Sequence, residues 1–191
     1  MNFRSAVFFD RDGVLSQTFV RDSKPYAPRQ LEDFKLEPEA EAATSALKQS
    51  GFLLVVVTNQ PDVGNGFVDR AVVDAMNQKL MQALPIDQVE TCFHAQSAGC
   101  ECRKPSPGML LKAAQDLEID LTTSFLVGDR YSDVEAGQRA GCCTVLIDRN
   151  YREPATAEPE FTAPSLKAAA DWILSRHDSA TDRHLPHSQR T

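Results

Sequence analysis

The chain has 191 residues, a length that fits one domain and excludes two large independent domains. With 42% hydrophobic and 25% charged residues, it can bury a globular core without a disulfide framework. The net charge of −7 and the lack of a long basic run argue against nucleic acid or an anionic membrane as partner, whereas a small anionic substrate stays compatible with local cations and a metal. Because no segment approaches about 18 uninterrupted apolar residues and no signal-peptide core precedes Asp10, we predict a cytoplasmic protein.

Short apolar runs alternate with segments of helical periodicity along the chain, which is typical of a parallel sheet with helical crossovers. The predicted strands, in chain order, are residues 6–9, 52–57, 89–93, 124–127 and 143–147. The predicted helices, in chain order, are residues 38–50, 69–84, 106–117, 132–140 and 165–175. We therefore expect an α/β, Rossmann-like three-layer sandwich with a central parallel sheet of about five strands.

Residues 1–175 are predicted to form a single domain, and residues 176–191 a disordered C-terminal tail. No block of about 50 residues is left over for a separate cap domain, so loops at one edge of the sheet must build the functional site. No stripe of apolar residues indicates oligomerisation, and a monomer is the default expectation.

Three of the predicted strands end in clusters of polar residues. Asp10 and Asp12 follow the first strand, Thr58 and Asn59 follow the second, and the segment 128–133 follows the fourth. Ligands of open α/β sheets bind outside the carboxyl ends of the strands, so these clusters are expected to converge. Because neighbouring aspartates repel one another, a hard cation is implied, and Mg²⁺ suits carboxylate and carbonyl oxygens.

The histidine positions restrict the chemistry. His177, His184 and His187 lie in the predicted tail, and His94 lies in a cysteine cluster, so a nucleophile activated by histidine is disfavoured. A carboxylate such as Asp10 is already ionised at neutral pH and can attack phosphorus without a general base. Mg²⁺ and a lysine would offset its repulsion by an anionic phosphate.

The clusters, taken in order with Lys104, resemble the four motifs of haloacid-dehalogenase (HAD) superfamily phosphatases over residues 6–147. The resemblance implies a capless HAD fold in which Asp10 forms an aspartyl-phosphate and Asp12 acts first as acid and then as base. It further implies that Thr58 and Asn59 hold the phosphoryl oxygens and that Lys104 balances charge. The implied Mg²⁺ ligands are Asp10, the Asp12 backbone carbonyl and Asp129, with Asp133 just outside the ligand set.

Residues 92–102 contain a second candidate metal site. Cys92, His94, Cys100 and Cys102 supply three thiols and one imidazole, a complete tetrahedral set for a structural Zn²⁺. The alternative is that these cysteines are reduced and packed as small apolar side chains. The other two cysteines, at 142 and 143, lead into a predicted strand and are expected to be buried.

The zinc loop followed by Arg103, Lys104 and Pro105 is similar to the D-glycero-D-manno-heptose 1,7-bisphosphate phosphatases and to the related histidinol-phosphate phosphatases. This resemblance implies that Arg103, Lys104 and Arg130 contact the substrate. Asn65 departs from the heptose family, which has an arginine there. Arg21 and Lys24 are candidates to supply the missing positive charge. The alternative is that both are solvated side chains of a loop with no role in binding.

We therefore expect a Mg²⁺-dependent phosphomonoesterase whose partner is a small phosphorylated sugar, a heptose bisphosphate of envelope (lipopolysaccharide) precursor synthesis. The alternatives are a histidinol-phosphate phosphatase or another small sugar-phosphate phosphatase. A histidinol site would favour an acidic or aromatic wall rather than the cations Arg103 and Arg130. A third alternative, from another class, is a zinc-stabilised module that binds a phosphorylated ligand without turnover; intact motifs argue against it.

Overall fold

The computed structural model describes residues 3–181. Its centre is a parallel sheet of six strands in the order β5-β4-β1-β6-β7-β8, and a separate antiparallel hairpin, β2-β3, follows β1. The strands are β1 (Ala6–Phe9), β2 (Phe19–Arg21), β3 (Lys24–Tyr26), β4 (Leu53–Asn59), β5 (Gln88–Cys92), β6 (Phe125–Gly128), β7 (Cys143–Ile147) and β8 (Phe161–Ala163). The helices are α1 (Ala40–Gln49), α2 (Pro61–Gly64), α3 (Arg70–Ala83), α4 (Gly108–Leu117), α5 (Tyr131–Ala140) and α6 (Leu166–Thr181).

The sheet separates two apolar layers, because alternate side chains of each strand point to opposite faces. In β1, Val7 and Phe9 pack with α1, α3 and α6 on one face. Ala6 and Phe8 pack with α4 and α5 on the other face. All four side chains are fully buried, which explains why this strand is a continuous apolar run. The predicted three-layer α/β architecture is confirmed.

The sheet has one strand more than the five predicted. Strand β8 is three residues long and follows a connection rich in Pro, Glu and Thr, so no apolar run marks it in the sequence. Its Phe161 ring stacks on Trp172 of α6, with the ring centroids 4.9 Å apart, and this contact holds the short edge strand in place.

The last helix is longer than predicted. Helix α6 continues to Thr181, so residues 176–181 are helical and not part of a disordered tail. The ring of His177 lies 4.6 Å from that of Phe52, and the Arg176 guanidinium lies 5.0 Å from the Trp172 ring. The contact between His177 and Phe52 attaches the added residues to the domain, while the contact between Arg176 and Trp172 lies within α6. The rest of the predicted tail, residues 182–191, lies outside the described residues.

The chain order places a functional site at the end of β1. From β1 the chain builds outward through β4 and β5 on one side, and then returns to build β6, β7 and β8 on the other. The crevice at such a reversal, outside the carboxyl ends of the strands, is where open α/β sheets bind ligands.

Among residues 3–181 no helix has the length and apolar character needed to cross a bilayer.

Candidate active site

A cavity of about 520 Å³ opens at the carboxyl ends of β1 and β4. The hairpin β2-β3 and the loop behind it form one wall, and the segment following the cysteine cluster forms another. The lining includes most of the site residues that the sequence predicts: Asp10, Asp12, Thr58, Asn59, Arg103, Lys104, Arg130 and Asp133.

Lys104 joins two carboxylates at the floor of the cavity. Its Nζ lies 2.6 Å from Asp10 Oδ1 and 2.6 Å from Asp133 Oδ1, and it donates a hydrogen bond to the Val57 carbonyl. Burial alone would lower the pKa of Lys104, but the two carboxylates raise it above its ordinary value. Lys104 is therefore a fixed cation beside Asp10.

Asp10 is held in a desolvated position. Burial, and to a smaller extent the charges of Asp133 and Asp12, raise the pKa of its carboxyl to about 6, although the attraction of Lys104 opposes the rise. Additional positive charge next to Asp10 would favour its ionised form, which is the nucleophilic one.

The amide of Asn59 fixes the loop that holds Lys104. Its Nδ2 donates to the Lys104 carbonyl at 3.1 Å, and its Oδ1 accepts from the Lys104 amide at 3.1 Å. Asn59 thus connects the end of β4 to the segment after the cysteine cluster. In this structure Asn59 serves the backbone of Lys104, while the resemblance assigns it to phosphoryl oxygens.

Asp129 supplies a buried carboxylate that forms no ion pair among residues 3–181. Burial, followed by the charges of Asp10 and Asp133, raises the pKa of this group, and the neighbouring Tyr151 hydroxyl opposes the rise. Ligand atoms of these three aspartates lie within 4.8 Å of one another. A side chain on Gly13 would lie 1.8 Å from Asp129 Oδ2, so the site also requires a glycine there, where φ is +94°. The donor set fits a hard divalent cation.

The four side chains of the cysteine cluster lie close to one another beside the cavity. Cys92 Sγ lies 3.1 Å from Cys102 Sγ and 3.6 Å from Cys100 Sγ, and His94 Nδ1 lies 3.2 Å from Cys102 Sγ. A tetrahedral Zn²⁺ with Zn–S bonds of about 2.3 Å gives S–S separations of about 3.8 Å. The separation between Cys92 and Cys100 is close to this value, and that between Cys92 and Cys102 is shorter. All four residues can therefore reach one metal ion.

The cavity has a cationic rim. Arg103 and Arg130 line it, and within the described residues the buried Nη1 of Arg103 has no hydrogen-bond partner. Arg130 forms an ion pair with Glu153. Arg29, which the sequence analysis did not select, also lines the cavity, and its Nε lies 2.7 Å from Asp62 Oδ2.

The two remaining predicted cations occupy the hairpin tip. Arg21 ends β2 and Lys24 begins β3, both exposed, and neither belongs to the lining of this cavity. Lys24 lines an adjoining groove together with Arg130. Their predicted role in substrate binding stays a prediction.

The sequence analysis also did not select two site residues that are direct neighbours of selected ones. Arg11 and Gln60 both donate hydrogen bonds to the Asp12 carboxylate. The available signal was adjacency, since each follows a selected residue directly.

Asn65, where the heptose family has an arginine, donates to Gln96 Oε1 at 2.9 Å and so binds the zinc loop instead of presenting a charge.

Comparison with known proteins places this site in a family. A family model described as HAD-hydrolase-like matches residues 101–169. A D-glycero-beta-D-manno-heptose-1,7-bisphosphate 7-phosphatase of Pseudomonas aeruginosa is 34% identical over 180 residues, which cover 90% of this chain and 98% of the relative. The protein of the same name from Escherichia coli K12 is 31% identical over 184 residues, covering 89% of this chain and 88% of the relative.

Solved structures agree with these relatives. The D,D-heptose 1,7-bisphosphate phosphatase of B. bronchiseptica, crystallised with magnesium and phosphate, is 28% identical with a TM-score of 0.78, and the match covers 90% of this chain and 99% of that one. A putative HAD-like phosphatase of Mesorhizobium loti has a TM-score of 0.71 at 28% identity and covers 90% and 88% of the two chains. The chain described here belongs to the HAD-like hydrolases, in the family of D-glycero-beta-D-manno-heptose-1,7-bisphosphate 7-phosphatases.

Proposed function

We propose that this enzyme is a Mg²⁺-dependent phosphomonoesterase that removes the 7-phosphate of D-glycero-β-D-manno-heptose 1,7-bisphosphate. The observation that carries the proposal is the group of Asp10, Asp129 and Asp133, whose ligand atoms lie within 4.8 Å of one another beside Lys104 at the floor of the cavity. The names of the relatives supply the substrate. A cytoplasmic, monomeric enzyme remains our prediction.

Two metals belong to the proposal. Asp10, Asp129 and the Asp12 backbone carbonyl would hold Mg²⁺, with Asp133 close by and paired to Lys104. When bound, Mg²⁺ would supply the positive charge that three crowded carboxylates and an incoming phosphate require. Cys92, His94, Cys100 and Cys102 would hold a structural Zn²⁺, since protein ligands fill all four positions.

Asp10 would begin the reaction as the nucleophile. One carboxylate oxygen attacks phosphorus, the bond from phosphorus to the sugar oxygen breaks, and Asp12 gives its proton to the departing oxygen. Lys104, 2.6 Å from Asp10, offsets the charge that the phosphoryl group brings to the floor of the cavity. Thr58, at the buried end of β4, lines the cavity and would hold a phosphoryl oxygen with its hydroxyl.

Asp12 would complete the cycle as a base. It takes a proton from the attacking water, whose oxygen bonds to phosphorus while the bond to Asp10 breaks and inorganic phosphate leaves. Asp12 thereby regains the proton that it gave away, and Asp10 returns to its ionised form. Both aspartates line the same cavity, as this sequence of steps requires.

The rim would recognise the phosphate that is not cleaved. Arg103 has a free buried Nη1, and Arg29 and Arg130 line the same cavity. Guanidinium groups suit the geometry of phosphate oxygens. Histidinol phosphate has a cationic amine at its far end, and the charge of Arg103 would repel that amine, whereas Arg29 and Arg130 are already paired with carboxylates.

The substrate is tested by Mg²⁺-dependent phosphate release over a panel that contains both anomers of the heptose bisphosphate, other sugar bisphosphates, histidinol phosphate and nucleotides. We expect kcat/KM to be highest for the β anomer, by at least about tenfold over histidinol phosphate. Comparable rates on every compound, or a preference for histidinol phosphate, would reject the proposed substrate. A protein that binds the phosphates without turnover would support the binding-module alternative.

Asp129 is expected to decide the binding of Mg²⁺. Because a ligand that binds only the folded state stabilises it, saturating Mg²⁺ should raise the melting temperature of the wild type by about 5 °C. Asp129→Asn should lose most of that increase, since an amide supplies no charge, whereas exposed Asp171→Asn should keep it. The measurement is differential scanning fluorimetry with and without Mg²⁺. An equal increase in all three proteins would remove Asp129 from the proposed ligand set.

A further inference from the structure

Three side chains donate hydrogen bonds to the carboxylate of Asp12: Gln60, Arg11 and Ser16, whose Oγ donates to Oδ1 at 2.9 Å. Gln60, which lines the cavity, donates from Nε2 to Asp12 Oδ2 at 2.7 Å. Arg11 donates from Nη2 to the same oxygen at 2.8 Å and from Nε to Oδ1 at 3.2 Å. Arg11 has no exposed surface and does not line the cavity, so it holds the carboxylate from the protein side.

Asn77 of α3 fixes the guanidinium of Arg11. Its Oδ1 accepts from Arg11 Nη1 at 2.8 Å, and its Nδ2 donates to Thr91 Oγ1 on β5 at 3.1 Å. The Arg11 guanidinium also lies 5.3 Å from the Phe34 ring. These hydrogen bonds therefore link Thr91 on the edge strand β5 and Asn77 on α3, through Arg11, to the Asp12 carboxylate in the cavity.

A planar guanidinium with two bonds to one carboxylate sets the plane of that carboxylate. Proton transfer needs the acid within hydrogen-bond reach of the departing oxygen, and a misplacement of about 1 Å can cost about 100-fold in rate. Arg11 can impose such a plane only while its own orientation is fixed. Asn77 is the side chain that holds the one guanidinium nitrogen that does not bond to Asp12.

We propose that Asn77, acting through Arg11, is a positioning residue for proton transfer by Asp12. The proposal rests on the proposed role of Asp12 as acid and base. Asn77 is buried and is not part of the cavity lining, so it does not contact the substrate. Its effect should depend on how much the departing oxygen needs a proton.

The test compares two substrates that differ in this need. The sugar oxygen of the heptose bisphosphate leaves poorly without a proton, whereas the nitrophenolate of p-nitrophenyl phosphate leaves readily without one. Asn77→Leu, which keeps the volume but removes the acceptor, is expected to lower kcat/KM on the heptose bisphosphate by about 30-fold. Its kcat/KM on p-nitrophenyl phosphate should change by less than about threefold, because kcat/KM covers only the steps up to release of the departing group and excludes the later step in which Asp12 acts as base.

Two variants separate positioning from a structural defect. Asn77→Asp keeps an acceptor for Arg11 and should stay within about threefold of the wild type on both substrates. Gln78→Leu changes the next, exposed residue of α3 and should leave both rates unchanged. Asn77→Leu losing the same factor on both substrates, or Asn77→Asp failing to rescue, would overturn the proposal.

Asp12→Asn provides the reference for the proposed mechanism. It should lose far more of its kcat/KM on the heptose bisphosphate than on p-nitrophenyl phosphate. If it shows that difference and Asn77→Leu does not, the positioning role is wrong while the proton-transfer role stands. If Asp12→Asn lowers kcat/KM equally on both substrates, Asp12 does not protonate the departing oxygen, and both proposals fall together.

Discussion

Asp10→Asn is expected to lower kcat by at least about 10⁴-fold, because an amide oxygen is a far weaker nucleophile than a carboxylate and cannot form the aspartyl-phosphate. The substitution keeps the shape of a side chain that is buried against Lys104. The expected loss is therefore chemical and not a result of misfolding. Phosphate release in the presence of Mg²⁺ measures it, with the most reactive substrate of the panel.

The control for this variant is Asp171→Asn, which removes an exposed aspartate of α6 that does not line the cavity. Its kcat should stay within about twofold of the wild type. A residual rate of Asp10→Asn within tenfold of the wild type would exclude Asp10 as the nucleophile. The phosphoryl group would then have to pass directly to water.

The same variant should also be more stable than the wild type when both are free of metal. The pKa of Asp10 is raised to about 6 in the folded protein, so its ionised form is disfavoured by folding. This cost is absent well below the ordinary carboxyl pKa and is complete above pH 6. The melting-temperature advantage of Asp10→Asn should therefore grow as pH rises through that interval. A constant difference would show that Asp10 carries no such cost.

The parts of the fold that local pattern determines were predictable. Apolar runs marked the strands β1, β4, β6 and β7, because strands buried on both faces exclude most polar side chains, whereas β5 at the sheet edge is half-buried and mostly polar. Polar residues directly after those runs marked the cavity, because parallel strands bring their carboxyl ends to one edge. For this reason the sequence places Asp10, Thr58 and Asp129 together although they are far apart along the chain.

The remaining features depend on contacts between distant residues. In the sequence, Arg11 is only a charged residue between two aspartates, and nothing indicates that α3 places Asn77 next to its guanidinium. Strand β8 has three residues and needs the Trp172 ring to hold Phe161. The hairpin β2-β3 lacks a buried face, so no alternation of apolar and polar residues announces it. None of these signals exists within a local window of sequence.

The cysteine cluster gives the second large expected effect. Cys100→Ser should lower the zinc content of the purified protein and reduce the free energy of unfolding by about 3 kcal/mol, seen as a melting temperature lower by about 10 °C. Metal binding stabilises only the folded chain, and serine is a poor replacement for a thiolate ligand. Cys143→Ser is the matched control, since Cys143 lies outside the cluster and should cost less than about 1 kcal/mol.

Loss of the metal should also reach the cavity. Cys102 is two residues from Lys104, whose backbone depends on two hydrogen bonds to Asn59 for its position. Without a metal between Cys92 and Cys102, those bonds and the bond from Lys104 Nζ to the Val57 carbonyl would attach the Lys104 loop to β4. We therefore expect Cys100→Ser to lower kcat by about tenfold even at temperatures where the protein stays folded. Unchanged zinc content, melting temperature and kcat would instead favour the alternative in which the thiols are packed without metal.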